Sequence, residues 1–357
     1  MAEIVDLNNL TLSVEEARST SECVFENLTE KSMLSDTHLI LTGVESDKLI
    51  PIFGKYGMTG KASAGNCVDN LGNATIPTSE KTWTPKLIKG TLEHCQDNIP
   101  DNMKFWKKSR IAANTWSEVN NEFMAFISDR VSDSILESQF RHAEFGDVNA
   151  SPVGDATGDE TLTVGIDKTY FNVLNGMWSQ IFTDQAGAKL AYRYTIPENA
   201  YVTTALQTVL AADRALTTFR TLYNKIGSTA KKSTLVFQIT SSLFNNWQDF
   251  LEDKSLVFNL SRAENGATTF NYRGIPIIVR DDWDETIKTY YDNGTTLFLP
   301  HRAVLASLNN IPIGTSDTES LTSLKSFYVE KDEKHYIRFA YKIDMKILVE
   351  KEIAVAY

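Results

Sequence analysis

The sequence is short of the residues on which catalysis and metal binding most often rest. Among 357 residues there are five histidines, scattered, and three cysteines, Cys23, Cys67 and Cys95. An odd set of widely spaced cysteines argues for free thiols in a reducing cytoplasm and against a disulfide framework. No apolar run reaches the roughly 20 residues that cross a bilayer, so no membrane contact is expected. The opening Met1-Ala2-Glu3 has no basic stretch leading into an apolar core, so no signal peptide is expected. Triplets such as Asn73-Ala74-Thr75 then carry no meaning as glycosylation sites. Gly-x-Ser-x-Gly, His-Glu-x-x-His and the dinucleotide-binding glycine fingerprint are all missing. Positive charge is scarce too: 35 Lys and Arg against 46 Asp and Glu leave a net charge of -11. That argues against tight, non-specific wrapping of nucleic acid, because phosphate affinity needs clustered cations. An acidic surface remains compatible with enclosing DNA without gripping it.

What the sequence does have is length and periodicity. A chain of 357 residues buries a substantial core and is expected to hold two or three structural units. From Ile337 the alternate positions read Ile337, Phe339, Tyr341, Ile343, Met345, Ile347 and Val349, with mostly polar residues such as Arg338, Lys342, Asp344, Lys346 and Glu350 between them. Side chains alternate faces along a strand, so this predicts one strand, apolar on one face and roughly 45 Å long. Ordinary strands have about 5–6 residues, so an elongated architecture is expected. The second strong pattern is helical. Thr115 and Glu118 have capping-box spacing, and Val119, Phe123, Phe126, Ile127, Val131, Ile135 and Phe140 follow at three- and four-residue steps. They predict a helix from Trp116 to about His142, ending near Gly146 and roughly 40 Å long. Similar lengths and single apolar faces predict that helix and strand pack on each other.

The remaining segments arrange themselves around this pair. A first helix is expected over 13–31, where Ser13 and Glu16 have capping-box spacing. Small residues, Gly54, Gly57, Gly60, Gly65 and Gly72 among them, make 35–80 read as an arm or extended connector. Strand-like pieces 82–88 and 91–95, rich in Lys and aromatics, predict a long basic hairpin that folds poorly alone and lies against something else. After the long helix, a Gly/Asp/Pro-rich stretch at 146–160 leads into an inserted α/β unit. Its helices are expected near 167–183, 201–226 and 241–251, and its strands near 234–240, 270–280 and 295–299. The chain leaves this unit near 310–317. Residues 327–329, a charged turn at 330–334 and the long strand then close as a terminal hairpin. The expected fold class is α+β, divided as 1–75 (arm), 76–114 (hairpin), 115–150 (long helix), 151–317 (inserted unit) and 318–357 (closing strands).

Candidate chemistry is thin. In Gly54–Ala62, Gly60 is one residue too far from Gly54 for a phosphate loop, and Ala62 stands where Ser or Thr would hold magnesium. His94 beside Cys95 lacks a second ligand pair. Asp281, Asp282, Asp284 and Glu285 read as a solvated loop after a strand, in preference to a cation site. No cofactor and no metal are expected. A triad drawn from distant residues stays open, because triads are spatial. The basic aromatic stretch 81–110 has two readings. Trp83 and Trp106 would stack bases in a nucleic-acid surface, or the stretch would dock on a neighbouring subunit. The acidic remainder of the chain favours the second, with Lys81, Trp83, Lys86, Phe105 and Trp106 as the contact residues.

This order of parts resembles the major capsid protein of tailed bacteriophages, the Hong Kong 97-like coat fold. Its parts are named the N-arm, the E-loop, the P-domain with its spine helix, and the inserted A-domain. Asn271-Tyr272-Arg273-Gly274-Ile275-Pro276-Ile277-Ile278-Val279 looks like a strand often seen in the A-domain. Residues 336–355 look like the closing strands of such proteins, notably those of phages infecting Bacteroidetes hosts. The resemblance implies a structural protein and not an enzyme. Copies would assemble as hexamers and pentamers into an icosahedral shell, with double-stranded DNA enclosed without specific binding. Portal, scaffold and decoration proteins are the implied further partners, and the virion, assembled in the bacterial host cytoplasm, the implied location. Some members join subunits by a Lys–Asn isopeptide bond. Lys81, Lys86 and Lys89 are candidate donors, but no matching Asn or activating carboxylate can be picked out, so that chemistry is not carried over. Some members lose a leading scaffold segment, and a start at Met1 implies that none was removed here. Three rivals stand beside this reading: an encapsulin-type nanocompartment shell, a phage tail-tube or sheath subunit, and a hydrolase with a dispersed triad.

Overall fold

The structure, a computed structural model, describes residues 34–54, 76, 78–95, 116–153, 161–254, 260–262, 268–316, 324–329 and 334–357. In chain order the elements are α1 (Leu34–Thr37), β1 (Ile40–Leu41), β2 (Leu49–Phe53), β3 (Thr78–Thr82), β4 (Lys86–Cys95), α2 (Trp116–Phe145), β5 (Ser151–Pro152) and β6 (Thr161–Leu162). Next come α3 (Met177–Ala186), β7 (Tyr192–Tyr194), α4 (Thr204–Gln207), α5 (Arg214–Lys225), β8 (Leu235–Ile239), α6 (Ser241–Asp253), β9 (Leu260–Arg262), β10 (Thr268–Tyr272) and β11 (Ile275–Val279). The chain finishes with α7 (Asp281–Tyr290), β12 (Ala303–Ser307), β13 (Ile313–Gly314), β14 (Leu324–Val329), β15 (Lys334–Met345) and β16 (Ala354–Ala356).

The long strand β15 organises one sheet. One edge pairs antiparallel with β4, from Lys334 opposite Cys95 to Ile343 opposite Lys86. Its other edge pairs first with β14, closing the expected terminal hairpin, and then with β13. Val131, Ile135 and Phe140 of α2 share a core with Ile337, Tyr341 and Ile343 of β15, so the expected packing of helix on strand is found. Each such side chain, fully buried, contributes about 1.5–3 kcal/mol. Ser138 Oγ and the Tyr341 hydroxyl lie 2.8 Å apart across the contact. A Cβ on Gly90 would collide with the ring of Phe339 directly opposite.

The inserted unit is a seven-stranded sheet, ordered β7-β16-β12-β8-β11-β10-β9. All five residues of β8 are buried, as expected of a strand covered on both faces. Phe237, Leu305 and Ala354 face α5 and α6 through Phe219, Leu243 and Trp247. Val304 and Val355 point the other way, into the core that holds Trp178, Trp283 and the long helix.

Several expectations need correcting. The long strand stops at Met345 instead of running on to Glu350, because the Gln180 side chain takes the next ladder positions. It donates to the Met345 carbonyl at 2.8 Å and accepts from the Ile347 amide at 3.2 Å. The closing segment does not stay with the long strands: β16 pairs with β12 and β7 of the inserted unit. The two pieces expected at 82–88 and 91–95 are one strand, β4, paired with β15, and residues 96–114 of the expected hairpin lie outside the described residues. Gly176 delays the helix expected from 167, because the chain crosses Gly146 there. Its amide donates to the Gly146 carbonyl at 2.7 Å, and a Cβ on either glycine would meet backbone atoms at 2.6–2.8 Å. The helix expected over 201–226 splits into α4 and α5, because the buried Gln207 side chain reaches the Asn199 and Leu297 carbonyls. The strand expected at 295–299 reduces to one bridge, Asp292 with Leu297, while β12 and α7 were not expected. The helix expected over 13–31 lies outside the described residues.

Candidate functional site

The five expected contact residues meet different fates. Lys81, on β3, donates to the Ile347 carbonyl and to Glu350 Oε1, the latter at 2.6 Å, so its charge is engaged within its own chain. Trp83 is only 3% exposed. Its amide and carbonyl bond to Lys48 and Asp47, and its ring fills the space where Gly314 lacks a side chain. It is a core residue, which corrects its reading as an anchor for a neighbour. Lys86 is exposed at the start of β4, followed by exposed Leu87 and Lys89. Phe105 and Trp106 lie outside the described residues, as does Lys55–Ala62 of the glycine-rich stretch.

Among the described residues no group of three or more His, Cys, Asp or Glu is placed to hold a metal ion, and no helix is long and apolar enough to cross a membrane. The acidic run after β11 is the first turn of α7 and not a loop. Asp282 accepts two bonds from Arg280, at 2.9 and 2.6 Å, and Asp284 accepts from the Ser241 amide and hydroxyl at 2.7 and 2.6 Å. Carboxylates at a helix start also favour the helix dipole.

Among the described residues there is one Ser–His pair. Ser242 Oγ lies 2.7 Å from His301 Nδ1, and His301 Nε2 lies 2.6 Å from the Gln207 carbonyl. The carbonyl can only accept, so Nε2 carries the proton and Nδ1 accepts from Ser242. The ring is 2% exposed and is oriented by a backbone carbonyl. The pair fastens the loop around α4 to the start of α6.

A charged junction, which sequence reasoning missed, joins three parts of the chain. Glu144, in the last turn of α2, has Oε1 2.7 Å from His38 Nε2 and 2.7 Å from an Arg280 amino group. His38 Nδ1 faces the Ile311 carbonyl at 2.9 Å. Arg280 also donates to Gln238 at 2.6 Å, and Gln238 donates to the Thr37 carbonyl at 2.9 Å. Burial alone would raise the Glu144 carboxyl. The charges of Arg280 and His38 more than offset it and hold it at about 2. The segment around α1, the long helix and the end of β11 are thus pinned at one point. The only signal in the sequence was a set of charged residues beside apolar runs, with nothing to show which would meet.

No family model and no curated protein matches the chain. Solved structures do. The chain is similar to Gordonia phage Cozz at 12% identity, over 94% of this chain and 89% of that one, with a TM-score of 0.54. It is similar to the capsid of a native GTA particle at 11% identity, over 94% and 93%, with a TM-score of 0.52. To the capsid of the empty GTA particle it is 9% identical over 94% and 98%, again at 0.52. The chain therefore has the Hong Kong 97-like coat fold, in its α+β form, over nearly its whole length. The narrower resemblance to phages of Bacteroidetes hosts draws no support from these structures.

Proposed function

We propose that this chain is a major capsid protein. Its copies assemble as hexamers and pentamers into an icosahedral shell that encloses double-stranded DNA without binding it specifically. The observation that carries the reading is the fold: the similarity to the capsid of the native GTA particle and to Gordonia phage Cozz spans 94% of the chain. In this reading 1–75 is the N-arm, 76–114 the E-loop-like segment, 115–150 the spine helix region, 151–317 the A-domain, and 318–357 the closing strands, the last of which returns to the A-domain sheet.

The surface supports this. The ribbon of β2 and β3 exposes Leu49 and Phe53, the latter 71% exposed. A two-stranded ribbon has little stability of its own in water, and exposed apolar side chains on it gain by docking on a neighbour. Lys86, Phe105 and Trp106 are proposed contacts of the adjoining segment. The function is assembly and not catalysis. Portal, scaffold or decoration proteins are proposed as further partners, the virion as the location, and the bacterial host cytoplasm as the place of assembly.

Electron microscopy with mass from light scattering tests the reading on the purified chain. Closed shells, or rings of five and six, are expected. A homogeneous small monomer or dimer under all conditions would overturn it. Shells that hold a protein cargo and no nucleic acid would move it to the encapsulin-type alternative.

A further inference from the structure

The sheet built on β15 has two faces of different character. One carries Ile337, Tyr341 and Ile343 into the core under α2. The other is turned to solvent, and it is basic. Directly opposite residues of paired strands share a face. The register therefore puts Lys325 beside Arg338, and Lys89 beside Ala340, between Arg338 and Lys342. All four cations are exposed. Lys89, Lys325 and Lys342 have no ion-pair partner among the described residues. The three strands β4, β15 and β14 carry two acidic residues on this face. Asp344 accepts from the Thr84 amide at 2.7 Å and pairs with Lys346 at 3.4 Å, and Glu93 lies towards the other end, opposite Tyr336.

Like charges directly opposite each other weaken a sheet. Lys325 and Arg338 are such a pair, so their charges serve something other than the stability of the isolated subunit. Leu87, opposite Lys342 on the same face, is 55% exposed and adds an apolar contact to the cations. The face therefore fits an acidic partner that brings apolar side chains of its own.

The chain itself carries such a partner. Residues 1–33 hold seven acidic residues against two basic ones, Arg18 and Lys31. Val24, Phe25 and Leu28 stand among Glu22, Glu26 and Glu30. This segment joins the body at Leu34, which is buried in one core with Val131 and Ile135 of α2. It thus enters on the covered side of the sheet, away from the basic face of its own subunit.

We propose that residues 1–33 of one copy dock on the basic face of β4, β15 and β14 of a neighbouring copy. The docking rests on the shell reading above. Copies that each carry -11 repel at a distance, so their contacts need local charge complementarity. DNA phosphate is the competing anion, but it offers no apolar group to Leu87.

Carbodiimide joins a carboxylate to a lysine amine in contact with it, and it tests the docking on full-length chain assembled from isotope-labelled and unlabelled copies. Amide links from Glu22, Glu26 or Glu30 to Lys89, Lys325 or Lys342 are expected, with links between labelled and unlabelled copies among them. Links that never mix the labels would place the segment on its own subunit and overturn the proposal. Charge reversal is the second measurement. Lys325→Glu turns a like pair with Arg338 into an opposite pair, so the melting temperature of the unassembled chain should hold or rise. Lys325→Glu with Lys342→Glu should nonetheless raise the protein concentration needed for assembly at low salt, by about tenfold. If the unmodified chain assembles without these links, and the double variant assembles equally well, the docking is wrong while the shell reading stands. Shells of unchanged yield that lose co-purified nucleic acid would assign the cations to phosphate and overturn the proposal. An unmodified chain that never assembles would remove the shell reading and the docking with it.

Discussion

Nε2 of His38 lies 2.7 Å from Oε1 of Glu144, with both side chains fully buried. A buried pair of this kind adds little net stability over a well-packed apolar pair, but removing one member strands the other's charge, at about 3–5 kcal/mol. Glu144→Gln should therefore lower the unfolding free energy by up to about that amount: His38 loses the carboxylate at its Nε2, while Arg280 keeps its two bonds to Asp282. The urea midpoint of the full chain measures it. A change below about 1 kcal/mol, within the range of an exposed ion pair, would mean that the junction is not the clamp described.

The acid response of the subunit should come in two stages. His142 is buried, its Nδ1 has no partner, and burial followed by the charge of Arg141 lowers it from 6.5 to about 3. A histidine depressed on folding binds its proton more readily in the unfolded chain. Its contribution is complete above pH 6.5 and is lost as pH falls towards 3, at about 1.4 kcal/mol per pH unit. Glu144, lowered from 4.5 to about 2, keeps its contribution down to pH 4.5 and loses it only below. His142→Leu should weaken the dependence of the urea midpoint on pH between 6.5 and 4.5, leaving the part due to His301, which burial also lowers, and leave the loss below 4.5. An unchanged slope in the upper window would assign the acid sensitivity to another group.

How much of this was legible beforehand depended on the range of the interactions. The helix over 116–145 and the strand from 334 showed themselves because Val131, Ile135 and Phe140, and Ile337, Tyr341 and Ile343, repeat with the local period of their element. β12 did not, because Ala303–Ser307 is buried on both faces and a short unbroken apolar run has no period. α7 hid behind its own acidic start, although Trp283 and Ile287, four apart and both buried, were its signal. Trp83 was misplaced for another reason: composition marked it as aromatic among cations, but the glycine that receives it is Gly314. Spacing cannot report such a pairing, and the same holds for His38, Glu144 and Arg280.

The crossing of Gly146 and Gly176 predicts an unusual sensitivity to one methyl group. Gly146→Ala and Gly176→Ala each place a Cβ within 2.6–2.8 Å of backbone atoms, which cannot swing aside as a side chain does. Overpacking of this sort costs about 1–3 kcal/mol. Gly187→Ala is the control: its Cβ meets only the flexible Lys189 side chain at 3.4 Å and 3.6 Å and the Asp184 carbonyl oxygen at 3.7 Å. Thermal unfolding should rank the first two well below the third. Equal melting temperatures for all three would show that the end of the long helix yields more easily than a close-packed crossing allows.

Gln180 provides the last test, because one amide decides where the longest strand ends. Its nitrogen donates to the Asn175 and Met345 carbonyls at 2.9 and 2.8 Å, and its oxygen accepts from the Ile347 amide at 3.2 Å. A side chain is thus standing in for a neighbouring strand. Past it the chain bonds instead to Pro312 and Asn310, the latter by backbone and side chain, and turns back to deliver β16 to the other sheet. Gln180→Leu keeps most of the volume but leaves these backbone groups without partners, at about 1–3 kcal/mol for each group left buried. Gln180→Glu keeps the acceptor for Ile347 and loses the donor for Met345. Amide hydrogen exchange separates the two: Ile347 should lose protection in Gln180→Leu and retain it in Gln180→Glu. Full protection of Ile347 in both would show that packing of its side chain, and not the Gln180 amide, sets the end of β15.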